Sequence, residues 1–274
     1  GLKNLVKDFP EQKRPSFHNN AHEEIKFPFL LCQQDQHATK PDVVASLPGR
    51  TFPPRKKDDD HDRWRDISVV FEVKNVGSED PMLYCSKRND ETLVQLSKSA
   101  RNILVSQSRL FVFAVGIYGS TARIFRFDHA GAVCTRSFQY GEGNGAVLYE
   151  FLWRLNHPIG EDCDIVGADP TVRLASANTR DEKRVLHAAD IEATAETLKA
   201  CRWITIHPAE NRPAKKYLVY ELLFINPRLF SRATTIWKAL ELDEDGEPTG
   251  THVVIKESWR QLARDPELLY WQRI

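Results

Sequence analysis

Apolar positions in the first half of the chain fall into short runs separated by turn-forming residues. The segment Ile67–Lys74 reads ISVVFEVK, and its β-branched residues predict a buried strand. In ETLVQLSKSARNILVSQ the apolar residues recur at helical spacing, which predicts a helix over 91–107. A strand followed closely by an amphipathic helix is typical of a domain that mixes both kinds of element.

Other runs around that pair complete the first predicted domain. PDVVAS predicts a short strand over 41–46, and RLFVFAVGIYG and TARIFRFDHAG predict two strands joined by a turn at Gly119 and Ser120. AVCTRSF predicts a further strand, and GAVLYEFLWRL predicts a helix over 145–155. The expected fold class is α/β in the α+β sense, with a mixed sheet flanked by helices.

The character of the chain changes after residue 156. Residues 156–190 are rich in Asp, Gly, Pro and Asn and predict a loop-heavy bridge, which a helix in IEATAETLKAC follows. From Trp203 onward, RWITIHP, KYLVYELLFI, TTIWKALEL and THVVIKESW predict a small antiparallel sheet. The predicted division is a poorly defined segment over 1–30, a first domain over 31–178, a connector over 179–202 and a second domain over 203–274.

Composition narrows the function classes only a little. The 274 residues are 41% hydrophobic, which allows a sizeable core, and 38 basic residues balance 38 acidic ones. No net charge therefore points to a nucleic-acid or membrane partner, and no apolar run approaches the ~20 residues of a membrane span. Five cysteines without a Cys-x-x-Cys pair indicate reduced thiols in an intracellular protein. The only methionine is Met82 and the chain starts at Gly1, which predicts a piece of a longer protein.

Charged residues at the end of the first strand form the first candidate site. Residues i and i+2 of a strand share a face, so Glu72 and Lys74 are expected to point the same way. Asp42, from the strand predicted in PDVVAS, would add a second carboxylate. Two carboxylates and the Val73 carbonyl are ligands that Mg²⁺ accepts, and a lysine beside them can orient or help deprotonate an attacking water. The plain alternative is an ion pair at a solvated strand end.

The order of these residues resembles the PD-(D/E)xK pattern of restriction-endonuclease-like nucleases. Pro41 and Asp42 match its first half, and Glu72-Val73-Lys74 matches its second. Many members of that group carry a glutamine on the next helix, where this chain has Gln95. Some add a glutamate upstream, a role for which Glu23 and Glu24 are both open.

This resemblance implies a restriction-endonuclease-like sheet with a catalytic site and a bound metal. The implied catalytic residues are Asp42, Glu72, Lys74 and Gln95. The implied cofactor is Mg²⁺, held by Asp42 and Glu72, and the implied partner is a nucleic acid.

A lysine in the predicted second domain is the other candidate. THVVIKESW places Lys256 in a strand that resembles the Val-Ala-Ile-Lys strand of protein kinases, in which the lysine contacts the phosphates of ATP. Glu267, in RDPELLYW, is the candidate for the glutamate that pairs with this lysine. The preceding hairpin places Ser231, Arg232 and Ala233 where kinases have the glycine-rich loop that covers the phosphates.

VVIKESW and SRATTIW together resemble the basidiomycete fungal-type protein kinase family. The resemblance extends upstream through FEVKN, SRLFVFAVGIYG, RIFRFDHAG and GADPTV, so that it covers the chain from roughly residue 40 onward, and it implies that the second domain is the start of a kinase N-lobe. The chain contains no His-Arg-Asp and no Asp-Phe-Gly, which supply the base and a magnesium ligand in kinases. ATP-dependent phosphoryl transfer is therefore expected only from a complete kinase domain, with this chain truncated just past Lys256.

Two hypotheses of different classes follow. The first is a Mg²⁺-dependent nuclease that hydrolyses nucleic acid at Asp42, Glu72 and Lys74. The second is a non-catalytic module of a fungal-type protein kinase, which binds or regulates the missing kinase lobe or another protein. Neither hypothesis requires a membrane, and both leave cytoplasm and nucleus open.

Overall fold

The computed structural model describes residues 1–52, 62–141, 145–160, 163–175, 179–208 and 213–260. Within these ranges the chain folds into two β-sheets, with helices packed against both. This is the mixed α+β class that the sequence predicts, with a mixed sheet first and an antiparallel sheet second.

The described strands of the first sheet lie between residues 17 and 139. They are β1 Phe17–Asn19, β2 Val43–Ser46, β3 Ile67–Lys74, β4 Val112–Tyr118, β5 Thr121–Phe127, β6 Ala132–Cys134 and β7 Phe138–Gln139. Their order is β1-β2-β3-β4-β5-β6, and β7 also pairs with β5. β3 and β4 are parallel, whereas the other neighbours are antiparallel. The carboxyl ends of β3 and β4 therefore meet at the same end of the sheet.

Four α-helices accompany these strands: α1 Leu2–Leu5, α2 Leu30–Gln33, α3 Lys87–Gln107 and α4 Gly145–Asn156. Short 3₁₀ helices lie at Glu11–Lys13, Arg63–Asp66 and Gly77–Glu79. α3 begins after Ser86, whose side chain accepts a hydrogen bond from the Asn89 N–H, so the helix starts before the predicted residue 91. Its buried residues include the apolar Leu96, Ala100, Ile103 and Leu104, and also polar residues such as Asn102.

Helices cover both faces of the first sheet, which explains why β3 is apolar on both sides. Leu96 and Ile103 of α3 pack into the core that contains Val70 and Ala114. α4 packs on the opposite face, where its buried leucines contact the core around Phe71. None of the helices in the described ranges has both the length and the apolar character that crossing a bilayer requires.

The second sheet contains β8 Val172–Leu174, β9 Arg202–Ile206, β10 Lys215–Ile225, β11 Thr235–Leu242 and β12 Pro248–Glu257. Its order is β12-β11-β10-β9-β8, and all neighbours are antiparallel. Two helices precede β9: α5 Arg180–Ala188 and α6 Ala195–Ala200. β8 and α5 fall in the stretch that composition predicted to be loop. They form because β8 pairs with β9 and because α5 buries Val185 and Leu186 against the sheet, contacts that a local pattern does not reveal.

α3 packs into the core of the first sheet and contacts the core of the second through one partly buried residue. Most of its buried face belongs to the core of the first sheet, whereas Val105 packs with Phe27 and Phe29 into the core of the second. Conversely, Leu229 from the connection between β10 and β11 packs into the core of the first sheet. The domain division at 178 and 203 stays a prediction, but the cores on its two sides are in contact.

Candidate functional site

Lys74 is the centre of a polar cluster at the carboxyl end of β3. Its Nζ donates hydrogen bonds to Glu72 Oε1 at 2.6 Å and to Gln95 Oε1 of α3 at 3.0 Å. Glu72 and Lys74 share the face of β3 that α3 covers, in agreement with their i, i+2 spacing. Gln95 reaches them because the neighbouring Leu96 is buried in the core and fixes the rotation of α3.

Asp42 lies just before β2, against the same end of β3. Its Oδ2 accepts a hydrogen bond from the Val73 N–H at 2.7 Å. Pairing of Val43 with Phe71 in the β2–β3 ladder places Asp42 beside Glu72. The structure therefore brings the four residues of the first constellation together, which we call the Lys74 cluster (Asp42, Glu72, Lys74 and Gln95).

Burial dominates the electrostatics of Glu72, which is only 4% exposed. Burial raises the pKa of Glu72 to about 7, although the hydrogen bond from Lys74 lowers it, and the charge of Asp42 adds to the rise. The Glu72–Lys74 pair is therefore not the solvated strand-end ion pair that was the plain alternative. A carboxyl group that titrates near neutral pH is suited to proton transfer or to binding a cation.

Tyr118 adds a buried hydroxyl group beside the cluster. In the β3–β4 ladder, Tyr118 pairs with Lys74, and Gly116 pairs with Glu72. The Tyr118 side chain folds back over Gly116, where an added Cβ atom would lie 2.0 Å from the hydroxyl oxygen. The hydroxyl has no hydrogen-bond partner within the described ranges, and burial raises the pKa of Tyr118. Sequence reasoning missed this residue, although Gly-x-Tyr on the strand next to Glu-x-Lys was a readable signal.

A buried ion pair that includes Arg123 of β5 lies next to these residues. We call the line of polar side chains from Asp42 through Glu72, Lys74 and Tyr118 to Arg123 the polar row. Arg123, which pairs with Gly116 in the β4–β5 ladder, donates through Nε to both carboxylate oxygens of Asp80 at 2.8 and 2.7 Å. Its Nη1 also donates to the Thr135 carbonyl at 2.9 Å. Arg123 within the apolar run TARIFRF was the signal for this pair, but no local pattern identified Asp80 as its partner.

The donor set at Asp42 and Glu72 fits a magnesium ion in number and kind. Mg²⁺ is usually bound through one or two carboxylates, with water and substrate oxygens as the remaining ligands. A divalent cation would stabilise the ionised form of Glu72, which burial disfavours. No larger group of His, Cys, Asp and Glu side chains that could hold a metal occurs in the described part of the chain.

The two upstream glutamates are bonded elsewhere. Glu23 accepts from Arg63 at 2.6 Å and lies 3.4 Å from His18 Nε2. Glu24 pairs with Lys40 at 3.1 Å. Neither is bonded to the Lys74 cluster within the described ranges, so the structure places neither in a catalytic set.

The kinase-like constellation lies on the second sheet. Lys256 is exposed near the end of β12 and pairs with Ile236 in the β11–β12 ladder. Before β11, Ala233 has a left-handed φ of 43°, and its N–H bonds to Ser231 Oγ at 2.9 Å. Glu267, the predicted partner of Lys256, lies outside the described residues, so that pairing stays a prediction.

A family model described as fungal protein kinase matches residues 44–274. This match covers most of the chain and includes strands of both sheets. The chain belongs to the fungal protein kinase family. The kinase-family resemblance of the motifs is thus confirmed at the level of the family, and the matched region includes Lys256 as well as Glu72, Lys74 and Gln95. No curated protein and no solved structure matches the chain.

Proposed function

We propose that this chain is a binding or regulatory module of a fungal protein kinase, in line with the basidiomycete-type motifs. The observation that carries the proposal is that one helix, α3, packs into the core of the first sheet and contacts the core of the second at Val105. Gln95 of α3 contacts Lys74, and Val105 of the same helix contacts the core of the sheet that carries Lys256. A displacement of α3 caused by a ligand at either end would therefore affect both sheets.

Phosphoryl transfer itself belongs, in this proposal, to a complete kinase. The 274 residues contain neither His-Arg-Asp nor Asp-Phe-Gly, so they lack the sequences that supply a kinase with its base and a magnesium ligand. In that complete kinase, Lys256 would contact the phosphates of ATP. The module would hold β12, the strand that carries Lys256, in position. We expect the purified chain to transfer no phosphate from Mg²⁺-ATP.

The test uses the full-length kinase and the contact between its two sheets. Leu229 is buried in the core of the first sheet although it belongs to the β10–β11 connection. We expect Leu229→Ala to lower the kinase rate several-fold at a temperature at which the protein is folded. Val94→Ala, on the exposed side of α3, is the matched control and should retain the rate. An unchanged rate in the folded Leu229→Ala kinase would contradict the regulatory role.

A second candidate function is hydrolysis of phosphodiester bonds, which the geometry of the Lys74 cluster favours. In this reaction the oxygen of a water molecule bonds to phosphorus while one P–O ester bond breaks, the water loses a proton, and the leaving alkoxide oxygen takes up a proton. The Lys74 ammonium group, held between Glu72 and Gln95, is placed to orient that water or the phosphate oxygens. Mg²⁺ bound at Asp42 and Glu72 would supply Lewis-acid assistance.

The nuclease test combines cleavage with metal binding. Single- and double-stranded DNA and RNA would be incubated with the purified chain and Mg²⁺ or Mn²⁺. Cleavage lost in Lys74→Met but retained in Lys87→Met, on the exposed first turn of α3, would support the activity. Independently, Mg²⁺ should raise the Tm of the wild-type chain but not that of Glu72→Gln. Absence of both effects in the folded wild-type chain would end the nuclease proposal and leave the kinase-module proposal intact.

A further inference from the structure

A cleft of about 410 Å³ lies where α3 ends against the second sheet. His129 from the turn after β5, Trp237 of β11 and Trp259 after β12 contribute to its walls. No member of the Lys74 cluster lines it. Glu257 faces the cleft, so the adjacent Lys256 points from the opposite face of β12. The cleft is therefore separate from the Lys74 cluster and lies on the face of β12 opposite Lys256, although Ala233 of the kinase-like hairpin contributes to its wall.

Arg109 supplies the first unusual feature of this cleft, a buried cation that bonds only to a neutral group. It is 4% exposed, and its Nε and Nη2 both donate to Gln107 Oε1, at 2.9 and 2.6 Å. Its Nη1 has no hydrogen-bond partner in the described part of the chain. A guanidinium group has five N–H donors, and burying it without an acceptor for each is costly.

Arg202, at the start of β9, supplies a second buried guanidinium group with an unused donor. It is fully buried, its Nε donates to the Ala200 carbonyl at 3.0 Å, and its Nη1 donates to Ser108 Oγ. Its guanidinium carbon lies 4.1 Å from the centre of the Trp237 ring. Nη2 has no partner within the described ranges and, like Arg109 Nη1, is buried, so each of these two cleft-lining arginines keeps one unpartnered donor nitrogen just behind the wall.

The acidic residues of the cleft are already engaged by other donors. Asp169 Oδ1 accepts from the N–H and the hydroxyl of Thr171, at 2.8 and 2.6 Å. Glu257 Oε2 accepts from Trp237 Nε1 at 2.6 Å, and the charge of Glu257 acts on Arg202. Neither Arg109 nor Arg202 thus has an acidic hydrogen-bond partner in the described part of the chain. Burial lowers the pKa of Arg109 to about 9, so it is still charged at neutral pH.

We propose that this cleft binds a small phosphorylated ligand whose phosphate pairs with the guanidinium groups of Arg109 and Arg202, with a side-chain shift that brings their unpartnered nitrogens into the cleft. Guanidinium groups match the oxygens of a phosphate in geometry and charge. The volume falls within the range of small-molecule sites. Trp259, whose ring lies 5.4 Å from that of His129, provides an aromatic wall for the remainder of the ligand. This inference is independent of the proposed kinase-module and nuclease functions.

Titration calorimetry and two-dimensional NMR on the purified chain test the proposal, with inorganic phosphate, AMP and adenosine as probes. We expect phosphate and AMP to bind, with shifts at the Trp259 indole and at Arg109, and adenosine not to bind. Tighter binding of AMP than of phosphate would identify a phosphorylated metabolite as the ligand class, and equal binding would identify free phosphate. Absence of binding by both at millimolar concentration, or tighter binding of adenosine than of phosphate, would overturn the proposal.

Variants separate loss of binding from loss of fold. Arg109→Gln removes the unpartnered donor and should weaken phosphate binding by about tenfold or more. Because this residue is buried, a second variant acts at the exposed mouth of the cleft. Ser258→Asp should repel the phosphate, whereas Ser258→Ala should bind as the wild type does. Wild-type affinity in folded Arg109→Gln and Ser258→Asp would contradict the assigned site.

Discussion

Two charged pairs at the first sheet are buried, whereas two on the second sheet are exposed. In the first sheet, the side chains of Arg123 and Asp80 are 10% and 0% exposed, and Glu72 and Lys74 are also largely shielded from water. On the second sheet, the pairs Lys215–Glu241 and Lys238–Glu221 lie at the surface. These four pairs therefore differ in burial according to the sheet that carries them.

Buried charged pairs call for a functional explanation, whereas exposed pairs do not. Surface ion pairs contribute little to stability and are common on any strand. A buried pair costs several kcal/mol of desolvation unless its geometry is good, and hydrophobic residues could often replace it. The polar row from Asp42 to Arg123 is therefore a costly arrangement, and such arrangements are typical of functional sites.

The largest expected effect comes from breaking the Arg123–Asp80 pair. Arg123→Met leaves Asp80 buried without its cation and should lower the free energy of unfolding by about 3–5 kcal/mol. Lys215→Met removes one partner of an exposed pair on the second sheet and should leave the urea midpoint unchanged. Similar losses of stability in the two variants would show that the buried and the exposed pair do not differ in their contribution to stability.

The next effect is a pH dependence that originates in the first sheet. Glu72 has a pKa of about 7 in the folded chain, compared with its ordinary value of 4.5. Between these values the folded state binds more protons than the unfolded state, so stability falls as the pH rises from 4.5 and levels off above 7. The free energy of unfolding falls by about 3 kcal/mol in total over this pH range.

Urea titrations at pH 5 and pH 8 measure this dependence directly. Glu72→Gln cannot ionise and should show a clearly smaller fall in stability between the two pH values than the wild type. Equal falls in both proteins would show that Glu72 does not titrate as proposed.

A smaller effect is expected from Gly116→Ala, which tests the packing of the polar row. The added methyl group would lie 2.0 Å from the Tyr118 hydroxyl and must displace that buried ring. Overpacking of this kind costs about 1–3 kcal/mol. Thermal unfolding of Gly116→Ala and of the double variant Gly116→Ala/Tyr118→Phe measures this loss of stability. Because the ring carbons Cζ and Cε2 of Tyr118 lie 2.4 and 2.8 Å from the added atom, the double variant should recover only part of the loss, and full recovery would show that the hydroxyl oxygen alone clashes.

The smallest effect lies in the second sheet and concerns backbone strain instead of charge. Ala233 has a φ of 43°, a left-handed conformation that glycine adopts without the strain of a Cβ atom. Ala233→Gly should therefore stabilise the chain by about 1 kcal/mol, which differential scanning calorimetry can detect as a raised Tm. A lowered Tm would show that the alanine methyl group contributes more by packing than it costs in strain.

Local patterns were sufficient for the strands and helices that carry a long apolar run. β3, β4, β5 and α4 lie where the sequence predicts them, because each buries a face whose period is visible over several residues. α5 and β8 were missed, since α5 is short and polar and β8 consists of three residues held by pairing with β9. α3 was predicted from residue 91 onward, but its first turn depends on the cap at Ser86.

The candidate site was predictable only in part, for a similar reason. The i, i+2 rule correctly placed Glu72 and Lys74 on one face, and the order of the motifs correctly grouped Asp42 and Gln95 with them. Tyr118 lies beside them because β3 and β4 pair in parallel register, a long-range contact that no local period specifies. Arg109 and Arg202 were missed because the cleft exists only when both sheets are packed together. Whether the grouped residues hold Mg²⁺ or cleave nucleic acid stays a prediction.

The position of α3 between the sheets also limits how such chains could be recombined. A cut anywhere between residues 178 and 203 would divide the sequence into two tidy pieces. The first piece would keep Phe27, Phe29 and Val105 but expose them, and the second would lose these side chains from the core around Trp237. The smallest segment that could be transferred to another protein with its cores intact therefore includes both sheets, so we expect them to have been inherited as one unit.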